Sequence, residues 1–133
     1  MSKVVNLAVF IDGTGNSNFK KPPEDKTNVG RLKEACAGLA DGDIEQRVYY
    51  KPGVGTRRWE GWFGNIAGVW LKERVDEAKT WLSNELKIAR EDGNTPKIYI
   101  FGFSRGAYAA RWLANELHED IEFLGVWDTV KTT

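Results

Sequence analysis

Lys97-Ile98-Tyr99-Ile100-Phe101-Gly102-Phe103-Ser104-Arg105-Gly106-Ala107 constrains the fold more than any other stretch, because a β-branched and aromatic run gives way within a few residues to a helical pattern. Ala107, Tyr108, Ala109, Ala110, Trp112, Leu113 and Leu117 supply the helix-forming and helix-packing residues that follow. A strand that turns directly into a helix opens a strand–helix–strand unit, and such units build parallel sheets. The turn also sets Ser104 between Gly102 and Gly106. Side chains at the two flanking positions would collide with the adjoining strand and helix, so both are glycine. The serine hydroxyl is thereby presented at the sheet edge, with the Arg105 N–H aimed where an oxyanion would form. Gly-x-Ser-x-Gly also occurs in tight turns without chemistry, so the surrounding pattern has to carry the functional reading.

That pattern runs the length of the chain. Val4 to Ile11 is nearly continuous apolar sequence, as in a strand buried on both faces, and it ends in Asp12-Gly13-Thr14-Gly15-Asn16. Thr27 or Asn28 can cap a helix bearing Val29, Leu32, Ala35, Cys36 and Leu39, which should stop between Gly38 and Gly42. Arg47-Val48-Tyr49-Tyr50 reads as a second strand, closed by Pro52-Gly53 and Gly55. Residues 56–68 show no period and read as a loop or irregular cover. Leu71, Val75, Ala78, Leu82, Leu86 and Ala89 then recur every three or four residues, predicting a long amphipathic helix that ends before Gly93 and Pro96. Ile121 to Trp127 is a further strand, delivering Asp128 at its end. The alternation predicts an α/β fold, a three-layer sandwich with a mostly parallel sheet.

Composition narrows the function. With 133 residues, 41% of them hydrophobic, the chain holds one core, and residues 1–133 read as a single domain. Lysine plus arginine balance aspartate plus glutamate at 19 each, so no overall field favours nucleic acid or an anionic membrane. The single cysteine, Cys36, forms no internal disulfide and fits a reducing compartment. Met1-Ser2-Lys3 runs straight into a strand without a signal-peptide layout, and no apolar run reaches the ~18 residues of a membrane span. A cytoplasmic protein without stable membrane insertion is the default reading, with export by a route that needs no cleavable signal left open. No metal-ligating pattern appears, and no cofactor is called for.

Ligand sites in parallel sheets lie beyond the carboxyl ends of the strands. Three of the four strand ends carry polar chemistry: Asp12-Gly13-Thr14, Ser104-Arg105 and Asp128-Thr129. Each suits a turn on its own, but together they predict one shared site. The chain resembles a family of α/β-hydrolase-fold proteins catalogued mainly as a domain of unknown function, with relatives among the phospholipase effectors of bacterial type VI secretion. The resemblance rests on Phe10 to Asn16, Thr27-Asn28-Val29 with Arg31-Leu32, Tyr49-Tyr50 through Pro52-Gly53-Val54-Gly55-Thr56, Gly102 to Ala107, and Phe123 to Val130, in that order. It implies a truncated α/β-hydrolase-like domain, similar to the N-terminal part of larger members, that hydrolyses carboxylic esters, lipid esters among them. Ser104 would be the nucleophile, and Gly13 or Thr14 would join Arg105 in the oxyanion site. Asp128 would orient a histidine.

The histidine of larger members lies C-terminal to the Trp-Asp-Thr-Val motif, and the only one here is His118. About a dozen helical residues at ~1.5 Å each carry it roughly 20 Å from Ser104. The base then comes from a second copy, a second polypeptide or an unconventional side chain. Asp12 is the internal candidate, although an Asp opening a glycine-rich turn also serves simply to satisfy backbone N–H groups. Two other readings stay open: a catalytically incomplete module that binds an anionic small molecule at the helix start, and one part of a split or oligomeric hydrolase. The latter expects a second copy or a partner along the sheet edge beside Phe123 to Trp127.

Overall fold

The structure is a computed structural model that describes residues 2–13, 31–33, 40–51 and 65–127. Its elements are β1 (Val4–Ile11), β2 (Ala40–Asp41), β3 (Ile44–Lys51), α1 (Asn65–Glu91), β4 (Thr95–Phe103), α2 (Arg105–Glu116) and β5 (Ile121–Trp127), with residues 31–33 also helical. The sheet runs in the order β2-β3-β1-β4-β5. β3, β1, β4 and β5 are mutually parallel, and β2 adds a short antiparallel edge. The expected α/β fold with a mostly parallel sheet is therefore present.

β1 is central because its residues are apolar on both faces. Val5, Leu7, Val9 and Ile11 meet Leu71, Val75, Ala78, Leu82, Leu86 and Ala89 of α1, and Ala109, Ala110 and Leu113 of α2. Ala8 and Phe10 face the other way, where they join Phe101 and receive Leu32 from the helical residues 31–33. Phe10 and Phe101 stack at 4.9 Å between centroids across the β1–β4 pair. On the α1 side, Arg47 of β3 bridges Glu45 at 3.0 Å and Glu85 at 2.7 Å, and Tyr49 packs on Trp81. Burial, with Glu77 nearby, pushes the Tyr49 phenol up to about 12, so it stays neutral. Leu82 is fully buried where α1 crosses the sheet. Leu82→Ala is expected to cost about 3 kcal/mol in urea unfolding, and a loss under about 1 kcal/mol would mean that α1 is not docked as described.

The capping of α1 explains its stop. Gly93 adopts φ 75°, its N–H donates to the Arg90 carbonyl at 3.0 Å, and the Asn94 N–H donates to the Ala89 carbonyl at 2.8 Å. These two bonds form a Schellman motif, whose left-handed residue is most easily glycine.

Three sequence expectations need correction. The stretch 56–68 was expected to be irregular, but α1 already begins at Asn65, ahead of its apolar stripe. Local backbone bonding sustains that first turn, and periodicity cannot register it. The strand read over residues 47–50 extends from Ile44 to Lys51, since ladder partners rather than apolar content set its ends. β2 was not foreseen: Gly42, at φ 56°, turns Asp41 back so that it pairs with Ile44, and two residues carry no detectable alternation. Most of the helix expected after Thr27, including Cys36, lies outside the described residues, and only 31–33 are seen as helical. Among the described residues no helix is long and apolar enough to cross a membrane. β5 closes one side of the sheet, where Phe123 is 54% and Leu124 38% exposed.

Candidate active site

The connections out of β1 and β4 run in opposite directions, β1 leading to β3 on one side and β4 to β5 on the other. Crossovers of one handedness then place their helices on opposite faces, and in sheets of this kind ligands bind beyond the carboxyl ends of the strands where the connections diverge, here β1 and β4. Asp12 and Ser104 each follow one of these two strands. Ile11 pairs with Gly102, and that register, continued one step, sets Asp12 level with Phe103, the residue before Ser104. Neighbouring strands lie about 4.8 Å apart, so the two turns share one edge.

Ser104 is the sole non-glycine residue with positive φ among the described residues, at φ 57° and ψ −120°. This lies outside the regions open to ordinary L-residues and costs on the order of 1–3 kcal/mol. The turn is held from three directions. The Ser104 N–H donates to the Trp127 carbonyl at 2.9 Å, and the Ser104 carbonyl accepts from Ala107 N–H at 3.0 Å and Tyr108 N–H at 3.3 Å. The Ser104 side chain makes no capping bond to α2, although serine at this position usually does. The strained backbone directs it elsewhere.

The glycines on either side are required by contact. A Cβ on Gly102 would overlap the Gly106 carbonyl oxygen and come within 2.7 Å of Ala107 Cα. One on Gly106 would overlap the Ile11 carbonyl oxygen and lie 2.7 Å from that of Asp12. The first turn of α2 therefore rests directly on the backbone where β1 ends. This contact brings Gly106 against Asp12, the juxtaposition that strand order alone only suggested.

Asp12 is 1% exposed, the sole buried charged residue among those described. Its N–H donates to the Lys51 carbonyl at 3.0 Å, and its Oδ2 accepts from the Tyr50 hydroxyl at 2.5 Å. Gly13 beside it is also buried. Thr14 and Asp128 lie outside the described residues, although β5 carries the chain as far as Trp127, paired with Phe103. His118 follows the C-terminal end of α2, a helix of 12 residues that begins at Arg105, directly after Ser104, and so spans about 18 Å. Among the described residues no cluster of His, Cys, Asp and Glu suits a metal ion.

Tyr50 had no assigned role in the sequence reading. The signal was present but two-dimensional: Phe10 and Asp12 fall on one face by alternation, and only the register Phe10–Tyr50 shows that the tyrosine shares it.

No curated protein and no solved structure matches the chain. The family described as "T6SS, Phospholipase effector Tle1-like, catalytic domain" matches residues 5–120, from β1 through α2. With that match across most of its length, on an α/β sheet of the kind the resemblance implied, the chain belongs to the Tle1-like catalytic-domain family of type VI secretion phospholipase effectors.

Proposed function

We propose that the chain carries the nucleophile and oxyanion half of a serine hydrolase acting on carboxylic esters, lipid esters among them. The observation that carries this reading is the Ser104 backbone at φ 57°, wedged between two glycines that tolerate no Cβ. A strained turn that withholds its serine from helix capping has the geometry of a nucleophile elbow. In the reaction Ser104 Oγ bonds to the ester carbonyl carbon, its proton passes to a base, and the carbonyl oxygen becomes an oxyanion. The N–H groups of Arg105 and Gly13 receive that charge, with Thr14 the alternative to Gly13. Collapse breaks the ester C–O bond, the alcohol leaves with the proton, and water later releases the acyl group from Ser104.

Asp12 has one oxygen engaged by Tyr50 and is almost fully buried, which favours an anchoring role over proton transfer. The base in this proposal is a histidine from outside residues 1–133, oriented by Asp128. The place of β5 at the end of the sheet, with Phe123 and Leu124 exposed, supports an approach from that side. His118→Gln is expected to leave ester turnover within a fewfold of the parent, whereas a hundredfold loss would make His118 the base.

The test is hydrolysis of short- and long-chain acyl esters by the parent and by Ser104→Ala, alongside binding of inorganic phosphate to both. Turnover abolished in Ser104→Ala supports the hydrolase. Equal background turnover with phosphate retained would replace it with the anion-binding reading, which the uncapped start of α2 favours.

A further inference from the structure

The bond between Tyr50 and Asp12 is not explained by a nucleophile and oxyanion donors alone. A carboxylate that is 1% exposed is costly unless its oxygens are paired, and a phenol supplies a donor without adding a charge. At 2.5 Å the bond is short for an O–H···O contact. Its placement matters as much as its length. Tyr50 is the penultimate residue of β3 and pairs with Phe10, so its ring lies on the same face as Phe10 and reaches along that face to Asp12. The Lys33 ammonium sits over the Tyr50 ring, 5.6 Å from its centroid. The Asp12 main chain is meanwhile tied to Lys51 by its N–H and pressed by Gly106 of α2. Asp12 is thus joined to β3 through both main chain and side chain, and the next peptide in the chain is that of Gly13.

We infer that Tyr50 is a positioning residue: it fixes the Asp12 carboxylate and, through it, holds the Gly13 N–H in the orientation that receives the oxyanion formed when Ser104 is acylated. The inference rests on the Ser104 hydrolase reading. Tyr50 touches no substrate in this arrangement. Its hydroxyl affects the reaction only while the Asp12 side chain is present.

The dependence on Asp12 is what a double-mutant cycle measures. The parent, Tyr50→Phe, Asp12→Ala and the double variant are compared for ester kcat and KM, and for the rate of Ser104 labelling by a fluorophosphonate, whose tetrahedral P=O group needs the same oxyanion donors. Circular dichroism and thermal midpoints establish that each variant is folded. Tyr50→Phe is expected to lower kcat and labelling about tenfold with KM within about twofold, as for a contact made only in the transition state. In the Asp12→Ala background the same change is expected to cost less than about twofold. Should Asp12→Ala not fold, Asp12→Asn takes its place, with a limit of about threefold because its amide oxygen still accepts from the phenol. An equal loss in both backgrounds, or unchanged labelling with only a lower thermal midpoint, overturns the positioning role and leaves the hydrolase reading standing. A parent that is labelled no faster than Ser104→Ala overturns both.

Discussion

Ser104→Ala is expected to reduce ester turnover by roughly a thousandfold or more, to the level of the buffer, while the fold and its thermal midpoint stay near those of the parent. The size follows from the position. Ser104 provides the sole atom that bonds to the substrate in the proposed reaction, and no neighbouring hydroxyl shares its turn. Stability should even rise slightly if alanine relaxes better than serine at φ 57°, but any β-carbon meets the same backbone penalty, so little change is expected. Acyl esters of several chain lengths, followed with both proteins at equal concentration, provide the measurement. Residual turnover above a tenth of the parent would remove Ser104 from the chemistry.

The second large effect concerns folding. Gly106→Ala is expected to destabilise the chain by about 4 kcal/mol or more, because the added methyl meets the Ile11 and Asp12 carbonyl groups, and neither is the movable end of a side chain. For a domain of this size that corresponds to a fall in thermal midpoint of roughly 15 °C. Gly42→Ala is the matched control. Its Cβ would meet nothing within 4 Å, so only the left-handed φ of 56° is penalised, at about 1–2 kcal/mol. Urea unfolding of the two variants separates close contact from conformational strain. If Gly106→Ala proves no worse than Gly42→Ala, α2 does not rest on the end of β1.

What the sequence disclosed depended on the range of the interaction. β1 was legible over its full extent, and α1 over most of its length, because a buried strand and a two-sided helix write their environment into neighbouring residues. The Ser104 turn was legible because its sterics are local: two glycines, a serine and a change of period within six residues. Tyr50 was not, since its meaning depends on which residue of β1 it faces, and register is settled by the assembled sheet. β2 escaped for a different reason. It exists only as the partner of Glu45 and Ile44, and two residues cannot display alternation. The shared edge of Asp12 and Ser104 falls between these cases. Strand ends could be counted from the sequence, but the contact of Gly106 with Asp12 could not.

The bond from the Ser104 amide to the Trp127 carbonyl ties the Ser104 turn to the outermost strand of the sheet. Sheets open from their margins, and such local openings require less free energy than global unfolding. Warming or mild denaturant should therefore release β5 while β1 and α1 are still packed. The serine would lose its tether at that point, so activity should disappear ahead of the core, with the amide of Ser104 exchanging its hydrogen faster than those of β1.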